Sequence, residues 1–261
     1  MAGPSTITRR AVLASVPMLA LASKKYPVRK ARVEPLWKSP GGHPNALEAS
    51  PEGLWVGEQV SDEAHLLDWK TGKVLRSVET ESSNTSGIAY GGGYIWMAAN
   101  GPASRRPPRP TDTKDGEVHK VDAATGKTVA RYRVPGGGGV HGLTWANDSL
   151  WVTTLHQGTL TRFTAGFQPL HSIPITLDRA HGIAADGDSI WCMFSNDYLI
   201  QRLDARDGRV IEAIQLKKGT DPDPHGMTMH RGVLYYSDSG FVRGGGAHQG
   251  KYGGYVCRIH L

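Results

Sequence analysis

Cysteine is scarce in this chain of 261 residues, with Cys192 and Cys257 its two examples. Neither belongs to the closely spaced pairs of a thiolate metal site, and two residues do not make a disulfide scaffold. Export would permit one bond between them, while burial as small hydrophobes is the plainer reading. No long stretch repeats apolar residues at helical spacing, which excludes a helical bundle. Charge of one sign is missing too: 30 Lys and Arg against 24 Asp and Glu leave a scattered net charge of +6. The one basic cluster, Arg105-Arg106-Pro107-Pro108-Arg109, has no interleaved aromatics. It reads as a solvated loop, and no nucleic-acid partner is expected.

What the chain has is glycine and turns. Thirty-three glycines and sixteen prolines suit an all-β domain with many tight connections. A pattern recurs through it: His141-Gly142-Leu143-Thr144 leads to Leu150-Trp151-Val152, His181-Gly182-Ile183-Ala184 to Ile190-Trp191-Cys192, and His225-Gly226-Met227-Thr228 to Leu234-Tyr235-Tyr236. Two weaker copies come earlier, Asn45-Ala46-Leu47-Glu48 to Leu54-Trp55-Val56 and Ser86-Gly87-Ile88-Ala89 to Ile95-Trp96-Met97. The anchors at 45, 86, 141, 181 and 225 are spaced by 41, 55, 40 and 44 residues. Intervals of roughly 40 to 45 residues with several short strands each indicate propeller blades. The sequence therefore predicts a single β-propeller over residues 31–261 with five four-stranded blades.

Three features support that register. Asp68 to Lys73, Asp122 to Lys127 and Asp204 to Arg209 read as hairpin turns between third and fourth strands. The equivalent aromatics Trp55, Trp96, Trp151, Trp191 and Tyr235 read as packing between blades. The last repeat stops one strand short, and Ala31 to Trp37 alternates like a strand, so the N-terminal strand is predicted to close the last blade and leave no edge exposed.

Upstream, Arg9-Arg10 precedes the apolar run Ala11 to Ala22. Residues 1–22 read as a twin-arginine signal peptide, with 23–30 a linker. The run is short for a bilayer span, so the mature protein is expected in the periplasm or secreted, without stable membrane insertion.

In a propeller the first strand of every blade lines the axis, so the anchor residues converge at one mouth. Three of them are His141, His181 and His225, beside Asn45 and Ser86. Imidazoles gathered beside small polar groups suit a divalent metal ion, with zinc, copper, iron or nickel favoured over calcium or magnesium. The candidate ligands are His141, His181, His225 and Asn45. Inheritance by duplication, with each histidine bonding a neighbouring loop, explains the same pattern without a metal. Three residues beyond the aromatic position stand Glu58 in the first blade and Asp238 in the last, adjacent in a closed ring and candidates for general acid and base. Two insertions, Asn100 to Gly116 and Gly240 to Gly254, flank the first blade and are placed to cover one side of the mouth.

Pro224-His225-Gly226-Met227-Thr228 and Trp55-Val56-Gly57-Glu58 resemble the blade motifs of the streptogramin B lyase family. That resemblance implies a magnesium-dependent ring-opening elimination served by a histidine of the His225 type and a glutamate of the Glu58 type. The histidines and the glutamate here fall in different blades. Tyr236-Ser237-Asp238-Ser239 is similar to strand ends of the senescence-marker and gluconolactonase propellers, which hold a divalent ion. The Asp-x-x-Thr-Gly-Lys hairpins are similar to those of five-bladed glutamine cyclotransferases, whose inner-strand motif is missing. The expected activity is that of a metal-dependent lyase or hydrolase acting on a small molecule. A metal-dependent oxidoreductase and a non-catalytic ligand- or protein-binding propeller stand as alternatives.

Overall fold

Residues 26–241 and 250–261 are described by a computed structural model. The leader over 1–22 and the glycine-rich stretch Gly244 to Gln249 lie outside the described residues. The fold is an all-β propeller of five blades. Two strands precede the first whole blade, β1 (Val28–Lys30) and β2 (Arg32–Lys38). The first blade is β3 (Pro44–Ala49), β4 (Leu54–Glu58), β5 (Ala64–Leu67) and β6 (Val74–Val78). The second is β7 (Thr85–Gly91), β8 (Tyr94–Asn100), β9 (Gly116–Asp122) and β10 (Thr128–Arg133). The third is β11 (Leu143–Ala146), β12 (Ser149–Thr154), β13 (Thr159–Thr164) and β14 (Pro169–Pro174). The fourth is β15 (Ala180–Asp186), β16 (Ser189–Phe194), β17 (Leu199–Asp204) and β18 (Val210–Gln215). The fifth has three strands of its own, β19 (Met227–His230), β20 (Val233–Ser237) and β21 (Tyr255–His260).

The predicted closure is present. Strand β2 pairs antiparallel with β21, from Arg32 opposite His260 to Lys38 opposite Tyr255, and Glu34 binds both Arg258 and His260 across the seam. The stretch read as a linker ends differently from expectation: β1 adds a parallel fifth strand to the outside of the fourth blade. Tyr26 there accepts a hydrogen bond from the buried Gln201 amide.

Local chemistry fixes the blade outline. In the turns at Asp68 and Asp122 the carboxylate accepts bonds from the backbone and hydroxyl of Thr71 and Thr125, and Gly72 and Gly126 take positive φ. At Asp204 the threonine is replaced by Asp207, and the carboxylate pairs with Arg206 instead. The repeated aromatics pack between blades: Trp55 stacks with Tyr90, Trp96 with Trp145, and Tyr235 meets Trp69. The core is correspondingly divided into clusters between neighbouring sheets. Cys192 and Cys257 are buried free thiols.

Inner strands contact one another around the whole ring, β3 with β7, β7 with β11, β11 with β15, β15 with β19, and β19 with β3. The glycine after four of the five anchors makes that approach possible, the first blade having Ala46 instead. A Cβ on Gly142 would stand 2.1 Å from the His181 carbonyl oxygen, and one on Gly182 2.5 Å from that of His225. Glycine is thus required by backbone packing at the axis. The histidine beside it is not.

Candidate active site

The anchor residues lie where the inner strands begin, and there the ladders are irregular. Register shifts occur between Pro44 and Ala46, between Thr85 and Gly87, and between Ala180 and Ile183, so Asn45, Ser86 and His181 fall at bulges. A bulge releases a side chain from strict strand alternation and re-aims it. The three histidines come together in a row. His141 and His181 have ring centroids 4.6 Å apart at 33°, and His181 and His225 have centroids 4.8 Å apart at 79°. His181 and His225 are buried, and His141 is half-buried with its Nδ1 inside.

Burial holds all three imidazoles below their usual range, and the positive charge of Arg179 acts on each in the same direction. They are therefore uncharged at neutral pH. His225 donates from Nδ1 to the Asp223 carbonyl, 3.2 Å away, which leaves Nε2 carrying the lone pair. The Nδ1 atoms of His141 and His181 are buried without a hydrogen-bond partner. Such orphaned groups are costly and uncommon.

Asn45 is engaged with the second blade, its amide donating to the Thr85 carbonyl and the Ser86 hydroxyl. Its Oδ1 is also buried and unpartnered. In chemistry this donor set suits a borderline transition ion. Among the described residues, however, no three His, Cys, Asp or Glu side chains stand in a metal-holding arrangement. Capture by three imidazoles requires the rings to turn about their side-chain torsions.

The two carboxylates part company. Glu58 is buried and folded back on its own turn, where Oε2 accepts the backbone N–H groups of Val60 and Ser61 at 2.7 and 2.5 Å. Asp238 accepts the N–H of Asp223 on one oxygen and that of Gly240 on the other, and it lines a cavity of about 510 Å³ beside the fifth blade. Tyr198 and Asp223 form walls of that cavity and also of a smaller one of about 190 Å³, which reaches His225. Tyr198 hydrogen-bonds Asp223 and is pushed up by burial and the nearby carboxylates.

Two further groups escaped the sequence reading. Arg179 precedes the inner strand of the fourth blade in a left-handed conformation, φ 56°, rare for a residue with a side chain and common at functional sites. Nothing in its sequence context signals that. Glu48 was visible, since the equivalent positions carry Ala89, Thr144, Ala184 and Thr228. It is buried, pushed up to about 8 by desolvation, and receives bonds from the Trp145 N–H and the hydroxyls of Thr144 and Thr228. Glu48 thereby ties the first blade to the third and fifth across the axis.

The described parts of the two insertions meet at one aromatic contact. Phe241 stacks on His43 at 4.0 Å, and the Arg105 guanidinium lies 3.5 Å from its ring centroid. Below them Asp62, fully buried, binds Arg106 at 2.7 Å and accepts from Thr85.

No family model matches the chain, and no curated protein matches it in sequence. Solved structures match its fold. Glutaminyl cyclase from Myxococcus xanthus aligns over 90% of this chain and 98% of its own with a TM-score of 0.67 at 12% identity. Virginiamycin B lyase from Staphylococcus aureus aligns over 85% and 68% with a TM-score of 0.50 at 16% identity. A streptogramin B lyase aligns over 88% and 98%, also with a TM-score of 0.50, at 15% identity. The lyase resemblance read from the blade motifs thus extends to the propeller fold, and these structural neighbours are named as enzymes.

Proposed function

We propose that this protein is an exported enzyme acting on a small molecule at the channel mouth, a lyase or hydrolase in which His141, His181 and His225 hold a divalent transition metal ion. The observation that carries this reading is the histidine row itself: three uncharged imidazoles in ring contact, two of them with a buried nitrogen that no neighbour satisfies. When bound, such an ion supplies Lewis acidity toward a carbonyl or ester oxygen. Zinc, copper, iron or nickel fits imidazole donors better than calcium or magnesium. Asn45 Oδ1 is the fourth candidate donor.

The chain's own groups do the rest. Held neutral by burial, the histidines present lone pairs without first losing protons. The Asp223 carbonyl orients His225 and fixes its tautomer. Asp238, on the wall of the adjoining cavity, is placed to take and return the proton, held in position by two backbone N–H groups. Glu58, engaged in its own turn, supports the loop and not the chemistry. The twin-arginine leader belongs to the same proposal, since that route carries folded proteins toward the periplasm.

Metal analysis of the purified protein, with thermal unfolding in the presence and absence of zinc, tests this. Metal content near one per chain, and a zinc-dependent rise in Tm that vanishes in His181→Ala, is the expected result. Protein that purifies without metal and whose unfolding ignores both zinc and chelator overturns it.

A further inference from the structure

The two cavities that meet at Tyr198 and Asp223 differ in the charge of their walls. Among the described residues, the smaller one, against His225, carries Arg179 and Lys218 opposite Asp223. Arg179 bears on all three histidines electrostatically, so its charge faces the mouth. The larger one carries Asp221, Asp223 and Asp238 opposite Lys251, and that ammonium stands 5.1 Å from the Tyr252 ring centroid. Tyr198 and Tyr252 add aromatic wall to this end, which favours an organic cation over a bare one. Counted over the described residues, the walls run from net positive beside the histidines to net negative away from them.

A neutral substrate gains nothing from such a division, and an ion of either sign is opposed at one end. A molecule with a carboxylate at one end and an ammonium at the other is matched at both. We propose that the site binds a zwitterionic small molecule of the amino-acid or short-peptide class, its carboxylate toward Arg179 and Lys218 and its ammonium toward Asp221, Asp223 and Asp238. This rests on the reading of the mouth as a small-molecule site and adds the class of molecule. It also orients the substrate, with the carboxylate end beside His225 and the ammonium end toward Asp238.

Calorimetric titration with three probes tests the assignment: glycylglycine, its N-acetylated form, which lacks the ammonium, and its C-terminal amide, which lacks the carboxylate. Glycylglycine is expected to bind tightest, with each blocked form weaker by roughly ten- to a hundredfold, the worth of one charge-assisted contact. In Arg179→Gln the preference over the amide disappears while that over the acetylated form remains. In Asp223→Asn the reverse holds. Equal affinities for the three probes in the unaltered protein, or no binding of any at millimolar concentration, overturn the proposal, as does discrimination that survives in both variants. Zinc titrated into the same samples reports on the histidines separately. Zinc uptake without probe discrimination removes the zwitterion and leaves the metal reading, and discrimination without zinc uptake does the opposite.

Discussion

The two sides of the channel mouth descend from the same repeat and have been put to different uses. On the side of the first and second blades the anchors are Asn45 and Ser86, bonded to each other and to the Thr85 carbonyl. The described parts of the two insertions meet at Phe241, and a buried Arg106–Asp62 pair braces the loops there. On the side of the third to fifth blades the anchors are histidines, two of which, His141 and His181, keep a buried nitrogen without a partner, and a cavity reaches His225. The first side keeps an orphan of its own in Asn45 Oδ1, so what separates the two sides is the cavity. A satisfied polar group stabilises, and an orphaned one beside a cavity does so only when something binds. The contrast makes the first side the braced one and the second the side on which the proposed function rests.

The coarsest way to break that comparison is to part the two sides altogether. Removing residues 1–40 deletes β2 and leaves β21 an unpaired edge, so loss of the folded monomer and aggregation are expected. Removing 1–25 leaves both β1 and β2 in place and is expected to be harmless. Size-exclusion chromatography and thermal unfolding of the two truncations check this, and a stable monomer from the longer one defeats the closure argument.

Next in size is the brace. Arg106→Ala leaves Asp62, 0% exposed, without its cationic partner, and about 3–5 kcal/mol of stability is expected to go. Denaturant unfolding measures the loss, and zinc affinity measured on the folded fraction is expected to stay unchanged. A variant that keeps its stability but loses zinc would reverse the division of labour.

Glu48 spans both sides and gives the comparison a pH dependence. Its carboxyl is pushed up to about 8 from an ordinary 4.5, so between those values the folded state keeps a proton that the unfolded chain releases. Its contribution is full below pH 4.5 and lost as pH rises toward 8. Glu48→Gln cannot ionise. Its stability relative to the parent protein is expected to improve by on the order of a few kcal/mol between about pH 5 and pH 9. A difference that does not change with pH would mean that the carboxyl is ionised throughout.

The smallest stability effect is expected on the open side. His181→Leu removes an orphaned nitrogen from a buried position, so metal-free stability at neutral pH should hold or rise by about 1 kcal/mol, while zinc stabilisation disappears. A His141→Ala, His181→Leu double variant should lose no more zinc stabilisation than either single change, because the ligands act as a unit. Acid adds a sign: with imidazoles lowered from 6.5, stability is present above that pH and lost as pH falls through the lower folded values. His181→Leu should flatten that acid slope. Additive losses indifferent to zinc would return the histidines to architecture.

The sequence by itself determined the ring. A repeat near 40 residues, glycine after four of the five anchors, an acidic hairpin start and a last blade one strand short are local or periodic signals, and each has a local physical cause that survives into the structure. It also determined which residues meet at the mouth, because equivalent positions in a closed ring are neighbours by symmetry. What the repeat could not carry is whatever breaks it. That Glu58 turns onto its own loop while Asp238 lines a cavity, that Arg179 lines the cavity at His225 with φ positive, and that Glu48 reaches across to Thr144 and Thr228 all depend on backbone paths outside the repeated register. Burial decided the rest: an imidazole or a carboxyl has its ordinary proton affinity in the sequence, and only the surrounding blades, by excluding water, hold the histidines neutral and Glu48 protonated.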